Sequence, residues 1–224
     1  MVDSALVDAL RLTLQVAAGS TALVALPALA LGRFLARREF RGRSLVEALA
    51  ALPLYCPPTA FGFLLLRAFR RDGPLGAQAL GFDLDVLLTW RGAVLASALM
   101  SFPLVVRTAR VAFENVPPRL EQMAASLGAS RAQVLWRVTL PLARNGLIAA
   151  LLIGFSRALG EFGATVIVAG NIPGRTQTLA TGIFDALQVG DDARAVQLAG
   201  LSALLGFVAV WTSEWFLRRS RSSV

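Results

Sequence analysis

The chain has 224 residues, of which 56% are hydrophobic and 16% are charged, and its mean hydropathy is +0.63. A soluble domain carries about 25% charged residues, so this composition excludes an ordinary soluble domain and favours an integral membrane protein. The formal net charge is +8, and all 22 basic residues are arginine, because the chain contains neither lysine nor histidine. The arginines cluster between apolar stretches, which favours contact with anionic membrane lipid over binding of nucleic acid.

The residue types that are missing exclude several kinds of site. A single cysteine, Cys56, cannot form an intramolecular disulfide or a cysteine-paired metal site, and we expect it to be a small core residue. Without histidine the chain lacks the usual general base, and without lysine it cannot contain the GxxxxGK[ST] loop of P-loop ATPases. We therefore expect no metal site, no bound cofactor and no ATPase site in this chain.

The first two apolar stretches are each long enough to cross a membrane, since a helical span needs about 20 residues. The first, Leu12–Gly32, contains no charged residue and follows a segment that is not basic. It is too long for the apolar region of an ordinary signal peptide, so we expect it to be retained. The second, Ala48–Leu66, carries three prolines, which interrupt helical hydrogen bonding, and we expect a kink or break near Tyr55–Thr59.

Three further apolar stretches complete a set of five predicted spans: Val86–Val106, Gly146–Gly170 and Val196–Leu217. A sixth span could lie in Pro74–Leu84 or in Leu179–Val189, although both resemble short re-entrant or surface helices more closely. The sequence thus predicts an all-α integral membrane bundle of five, or six, transmembrane helices that occupies the whole chain as one domain.

The distribution of arginine predicts how the bundle is oriented. Fourteen arginines fall in the loops that follow the first, third and fifth spans, and seven fall on the other side. Cytoplasmic loops carry the excess of basic residues, so the N-terminus is predicted to be outside and the C-terminus inside. The cluster Arg67–Arg71 runs against this assignment.

The segment of residues 116–144, between the third and fourth spans, is patterned in a way that a simple linker is not. Four apolar residues recur at the spacing of one helix face, and Gly128 stands after them where a left-handed C-cap would lie. Ser130 and Gln133 form a capping-box pattern that opens a second helix, which we expect to end near Pro141. Such a helical elbow could lie on lipid headgroups or fit a groove on a cytoplasmic partner.

The run QMAASLGASRAQVLWRVTLP, residues 122–141, resembles the EAA motif of ABC importer permeases. That motif reads Glu-Ala-Ala, three residues, Gly, nine residues, Ile, one residue and Leu-Pro. Gln122, Met123 and Val138 depart from it, and the nearest carboxylate is the neighbouring Glu121. In that family the loop is the coupling helix that seats on the ATP-binding subunit. The resemblance implies the same contact here, through the motif and its neighbour: Gln122, Met123, Ala124, Gly128, Ala129, Val138, Leu140 and Pro141.

Other runs resemble the molybdate and sulfate branch of these permeases, and the resemblance covers residues 12–217. They are SRALGEFGA at 156–164, GNIPG at 170–174 and WRGAVLASALMSFPLVVR at 90–107. The compact length and the run NIPGRTQTL are most similar to the molybdate ABC transporter permeases.

This resemblance implies a type I importer permease in the cell inner membrane, which carries molybdate or a similar oxyanion inward. It also implies a homodimer, two ATP-binding cassette subunits that hold ATP and Mg, and a periplasmic anion-binding protein. Sulfate, thiosulfate and tungstate remain open as substrates. A passive anion channel and an intramembrane enzyme are alternatives of other classes, but a channel needs no docking loop and an enzyme would need paired carboxylates in the membrane.

Charged and hydroxyl side chains inside the predicted spans are candidates for the translocation path. Arg157 and Glu161 are four residues apart, so on one helix they would share a face. A charge at bilayer depth costs at least a few kcal/mol, so the two should pair, either as a structural ion pair or as part of a gate. Ser97, Ser101 and Thr165 could offer hydroxyl groups to a passing anion, or could bond back to their own helices.

Overall fold

The computed structural model describes residues 4–221, and the helices in this range confirm the prediction of an all-α protein. In chain order they are α1 (Ser4–Arg37), α2 (Arg43–Tyr55), α3 (Pro58–Phe69), α4 (Ala77–Leu80), α5 (Trp90–Glu114), α6 (Pro118–Ser126), α7 (Arg131–Val134), a π-helical segment (Leu135–Thr139), α8 (Leu140–Leu159), α9 (Gly163–Ala169), α10 (Leu179–Val189) and α11 (Asp192–Arg221).

Four helices in the described range are long and apolar enough to cross a membrane: α1, α5, the continuous stretch Arg131–Leu159, and α11. The pair α2 and α3 passes the same test together, which makes five spans if the pair is counted as one. α1 and α11 extend beyond the predicted apolar stretches at both ends, whereas α5 begins later than predicted, at Trp90, and continues to Glu114. α4 and α10 have four and 11 residues, so both are shorter than a span, as the sequence favoured.

The second span is broken where its prolines predicted. α2 ends at Tyr55, α3 begins at Pro58, and the two helices are bent by 104°. Pro57 cannot donate a backbone hydrogen bond, whereas Pro58 suits the first turn of a helix, so the pair favours a stop followed by a restart. Cys56 lies in this break and is half-buried, so its predicted place in the core is wrong.

The fourth span differs from the prediction at both ends. Its helix begins at Arg131 and passes through the π segment, so Pro141 does not end it as expected. Pro141 has no backbone N–H, so the helix lacks one hydrogen bond at this position. The wider turn of the π segment just before Pro141 accommodates the missing bond, and the helix continues. The helix then stops at Leu159, and α9 begins only at Gly163, where an uninterrupted helix to Gly170 was predicted.

Close contacts between small residues set the direction of each span. Gly19 packs beside Val94 and Gly32 beside Val106, so α1 and α5 run in the same direction. Gly154 of α8 lies against Val105 of α5, while the Ser213 hydroxyl of α11 donates to the Ala149 carbonyl of α8. Ala209 and Ala158 share a buried cluster, which makes α8 antiparallel to α11. The same cluster places Ala17 of α1 near the end of α8, whereas Leu35 clusters with Ala143 near its start, so α8 is also antiparallel to α1 and α5. The α6–α7 elbow and the end of α1 therefore lie at the same end of the bundle.

Candidate functional site

The segment predicted to dock on a partner forms a helical elbow, defined here as residues 118–134, in which α6 and α7 meet at a left-handed turn. Gly128 has a φ of +87°, a conformation that L residues with a side chain rarely adopt. The Ser130 hydroxyl accepts the Gln133 N–H at 3.3 Å, and Gln133 Oε1 accepts the Ser130 N–H at 2.7 Å. Both halves of the predicted capping box are thus present, and the elbow is stabilised by its own sequence.

The outer surface of the elbow is apolar and exposed. Met123 is 60% exposed and Leu127 is 87% exposed, while Trp136 of the π segment is 70% exposed. Of the eight predicted docking residues, half are exposed (Gln122, Met123, Gly128 and Pro141) and half are partly buried (Ala124, Ala129, Val138 and Leu140). Large exposed apolar side chains so close together are typical of a surface that a partner or a membrane covers. The predicted set did not include Leu127 of the elbow or Trp136 just beyond it, although their large apolar side chains were an available signal in the sequence.

The inner surface of the elbow is tied to the bundle by Glu121. The Thr139 hydroxyl donates to Glu121 Oε1 at 2.6 Å, and Arg37 Nε lies 3.2 Å from Glu121 Oε2. The Arg37 N–H is not directed at that oxygen, so this contact is an ion pair and not a linear hydrogen bond. Arg37 Nη2 also donates to the Val116 carbonyl at 2.9 Å. The sequence showed Glu121 next to the motif, but no pattern in it predicted the contacts of its carboxylate with Arg37 and Thr139.

A second charged cluster lies near the same end, between α2 and α5. Glu47 accepts from Arg43 Nε and from Arg110 Nη1, each at 2.8 Å, and Arg110 Nε also donates to Glu114 at 2.7 Å. Beside this cluster is a cavity of about 360 Å³, whose lining includes Glu47, Arg107 and Arg110. Ion pairs between arginine and glutamate therefore connect the start of α2 to the end of α5.

Arg157 and Glu161 form an ion pair, but not along one helix face. Arg157 Nη2 lies 2.8 Å from Glu161 Oε2, with the arginine side chain 29% exposed and the glutamate side chain 1% exposed. α8 ends before Glu161, whose carboxylate instead accepts the Ala164 N–H at 2.9 Å. The glutamate thereby caps the start of α9, so the predicted shared helix face is wrong, while the two side chains do meet across the break.

The three candidate hydroxyl groups lie inside the packing of the chain. Ser97 of α5 and Thr165 of α9 place their hydroxyl oxygens 3.5 Å apart, and both residues are buried. The Ser101 hydroxyl donates to the Ala98 carbonyl of its own helix at 3.2 Å. All three side chains are therefore buried, with the Ser97 and Thr165 hydroxyls facing each other across two helices and the Ser101 hydroxyl bonded within α5.

The two broken spans meet each other beside this region. A Cβ atom on Gly163 would lie 2.9 Å from the Cβ of Pro58, and one on Gly62 would lie 3.0 Å from the Ala164 backbone. α3 and α9 therefore run side by side in the same direction from two adjacent breaks. Discontinuous helices in membrane proteins are tolerated where protein covers the irregular backbone or where it lines a cavity.

The sequence is similar to those of known transport proteins. Residues 28–222 match the family described as binding-protein-dependent transport system inner membrane component. The chain is 40% identical over 221 residues to the molybdenum transport system permease protein ModB of Haemophilus influenzae, covering 97% of this chain and 96% of the relative. It is 39% identical over 167 residues to the sulfate transport system permease protein CysT of Salmonella typhimurium, covering 75% of this chain and 60% of the relative.

A solved structure shares the fold. It is a bacterial alginate ABC transporter in complex with an alginate pentasaccharide-bound periplasmic protein, with a TM-score of 0.72 and 20% sequence identity. The match covers 95% of this chain and 78% of that one. At this identity the likeness shows the fold alone.

Proposed function

The chain belongs to the family of binding-protein-dependent transport system inner membrane components, and from this premise we propose that it is the membrane-spanning permease subunit of a molybdate ABC importer. The observation that carries the proposal is the 40% identity to a molybdenum permease over nearly the full length of both chains. Tungstate resembles molybdate in charge and shape and is included in this substrate class. A sulfate or thiosulfate permease is the alternative, and the lower coverage of the sulfate relative makes it less well supported.

We further propose that ATP hydrolysis occurs on a separate subunit, since a chain without lysine cannot supply a P-loop. Two ATP-binding cassette subunits, holding ATP and Mg, would dock on the elbows of two copies of this chain. The exposed apolar surface around Met123 and Leu127 supports this, because a helix seated in a groove buries such side chains.

The chain is proposed to act as a homodimer that receives its anion from a periplasmic binding protein. Five spans leave little room for a gated path within one chain, and a two-fold pair can enclose one between its subunits. The alginate transporter that shares the fold was solved with a periplasmic protein, which supports a similar delivery step here.

The broken spans suggest how such a pair could switch between inward- and outward-facing states. Rigid segments that move about a break can open one side of the path while they close the other. The Arg157–Glu161 pair lies at one of these breaks and would either hold its geometry or form part of the gate. Both roles need the pair to be intact in at least one state.

Co-purification and uptake test the proposed function. The tagged chain, solubilised from its native membrane, is expected to bring down a P-loop ATPase in stoichiometric amounts. The complex, reconstituted in vesicles with its binding protein, is expected to take up labelled molybdate only when ATP is supplied. Uptake of sulfate in preference to molybdate would favour the alternative substrate, and anion flux without ATP would favour a channel.

A further inference from the structure

We infer that Glu121 is a positioning residue for coupling, which fixes the elbow to the membrane bundle through Arg37 and Thr139. This inference rests on the proposed function, because it concerns how movement of an ATP-binding subunit would reach the spans. The motif that the elbow resembles has a carboxylate at the next position, where this chain has Gln122. The carboxylate of Glu121 faces the bundle, so it serves the opposite surface of the elbow from the one proposed to dock.

The first support is that one carboxylate joins three separate segments. Its Oε1 accepts the Thr139 hydroxyl of the π segment, and its Oε2 lies beside Arg37 at the end of α1. Arg37 in turn donates to the carbonyl of Val116, just before the elbow. A displacement of α6 would therefore act on α1 and on the beginning of α8 at the same time.

The second support is that α6 has little else to hold it. All nine of its residues are partly or fully exposed, so apolar burial contributes little to its position. The Glu121 side chain is 18% exposed and the Arg37 side chain 20%, which limits the screening of their attraction by water. Polar contacts of this kind fix geometry more strongly than they stabilise the fold.

The third support is the acceptor to which the Thr139 hydroxyl donates. Its hydroxyl has one hydrogen, and two acceptors are within reach: Glu121 at 2.6 Å and the Val134 carbonyl at 3.4 Å. The shorter, charge-assisted bond to Glu121 is the stronger one, so the hydroxyl is directed away from its own helix. Without the carboxylate, Thr139 would turn back to Val134 and α6 would lose its hydrogen bond to the π segment.

The test compares Glu121→Gln and Glu121→Ala with Glu39→Gln in the reconstituted importer. Glutamine keeps an acceptor for Thr139 but removes the charge that faces Arg37, whereas alanine removes both. Glu39 is an exposed carboxylate near the end of α1, so its change is a matched control for charge. The measured quantity is the number of ATP molecules hydrolysed per anion taken up, together with the amount of ATPase subunit that co-purifies.

We expect Glu121→Ala to raise the ATP cost per anion about fivefold or more, with the ATPase subunit still bound, since a lost contact of this kind shifts an equilibrium about that far. Glu121→Gln should give a smaller rise, and Glu39→Gln none. If the alanine variant does not fold, the glutamine variant decides. A wild-type ratio in a folded variant would overturn the inference, as would loss of the ATPase subunit, which would make Glu121 a docking residue. A wild-type complex that moves no oxyanion would contradict the proposed function instead.

Discussion

Two positions depend on one residue each. Gly128 in the elbow has a left-handed backbone conformation, and Glu161 in the break between α8 and α9 carries a buried charge. At Gly128, none of the described residues places a heavy atom within 4 Å of a built Cβ, so the requirement for glycine is one of backbone conformation and not of space. A left-handed conformation costs a residue with a side chain about 1–2 kcal/mol. That strain is enough to change the angle between α6 and α7 without unfolding the bundle.

Gly128→Asp is therefore expected to uncouple ATP hydrolysis from uptake. The strained elbow would present Met123 and Leu127 at the wrong angle, so uptake should fall about tenfold while the ATPase subunit keeps hydrolysing ATP. Gly174→Asp is the matched control, since Gly174 also has a positive φ and open space but lies outside the elbow. Parallel assays of uptake and ATPase activity measure both, and normal uptake by the Gly128 variant would count against the docking role.

The Arg157–Glu161 pair predicts an asymmetry between its two members. Arg157→Gln leaves the carboxylate of Glu161 buried without its cation, whereas Glu161→Gln leaves a guanidinium that is partly exposed. We expect the first change to lower the free energy of unfolding by about 3 kcal/mol and the second by about 1 kcal/mol. Thermal unfolding in detergent measures both, and the double variant should be more stable than Arg157→Gln alone. Equal losses would mean that the burial of Glu161 does not govern the pair.

At the scale of elements, the sequence predicted the breaks and turns that proline, glycine or a capping box marks, and missed the features that depend on burial of a charge or on distant contacts. The break between α2 and α3 follows from prolines, and the elbow follows from a glycine and a capping box. The break after α8 contains no proline and depends on Glu161, whose buried carboxylate bonds to the Ala164 N–H as well as to Arg157. The contact between Glu121 and Arg37 joins segments far apart in the chain, so no local pattern could reveal it.

The contact between the two broken spans is expected to tolerate no added methyl group. In Gly163→Ala the new Cβ would lie 2.9 Å from the rigid ring of Pro58, so α3 and α9 must separate. Overpacking of this kind costs about 1–3 kcal/mol, and uptake should fall as the breaks shift. Gly160→Ala is the control, because the structure places none of its described atoms within 4 Å of that Cβ. Thermal unfolding and uptake assays measure the difference, and equal behaviour of the two variants would mean that the contact is not tight.

At the scale of the whole molecule, the directions of the spans bring the functional features to one end. The elbow, the Glu47 cluster and the end of α1 lie there, while the short turn between α10 and α11 lies at the other. Because α1, α5 and α11 all run toward the elbow, the two ends of the described chain lie on opposite sides of the bundle. This arrangement agrees with an excess of arginine on the side of the elbow. Because these features share one end, the orientation of the whole bundle reduces to one question: on which side of the membrane the elbow lies.

That question can be answered with cysteine labelling, since the chain has only one cysteine to remove. In a Cys56→Ser background, Glu39→Cys reports on the end that carries the elbow and Val189→Cys on the opposite end, and both positions are exposed. If the arginine-rich side is cytoplasmic, a thiol reagent that cannot cross membranes should label Val189→Cys in intact spheroplasts and should label Glu39→Cys only after lysis. The Cys56→Ser chain alone should take no label. The reverse pattern would place the elbow outside, where no ATP-binding subunit could reach it, and would contradict the docking proposal together with the predicted orientation.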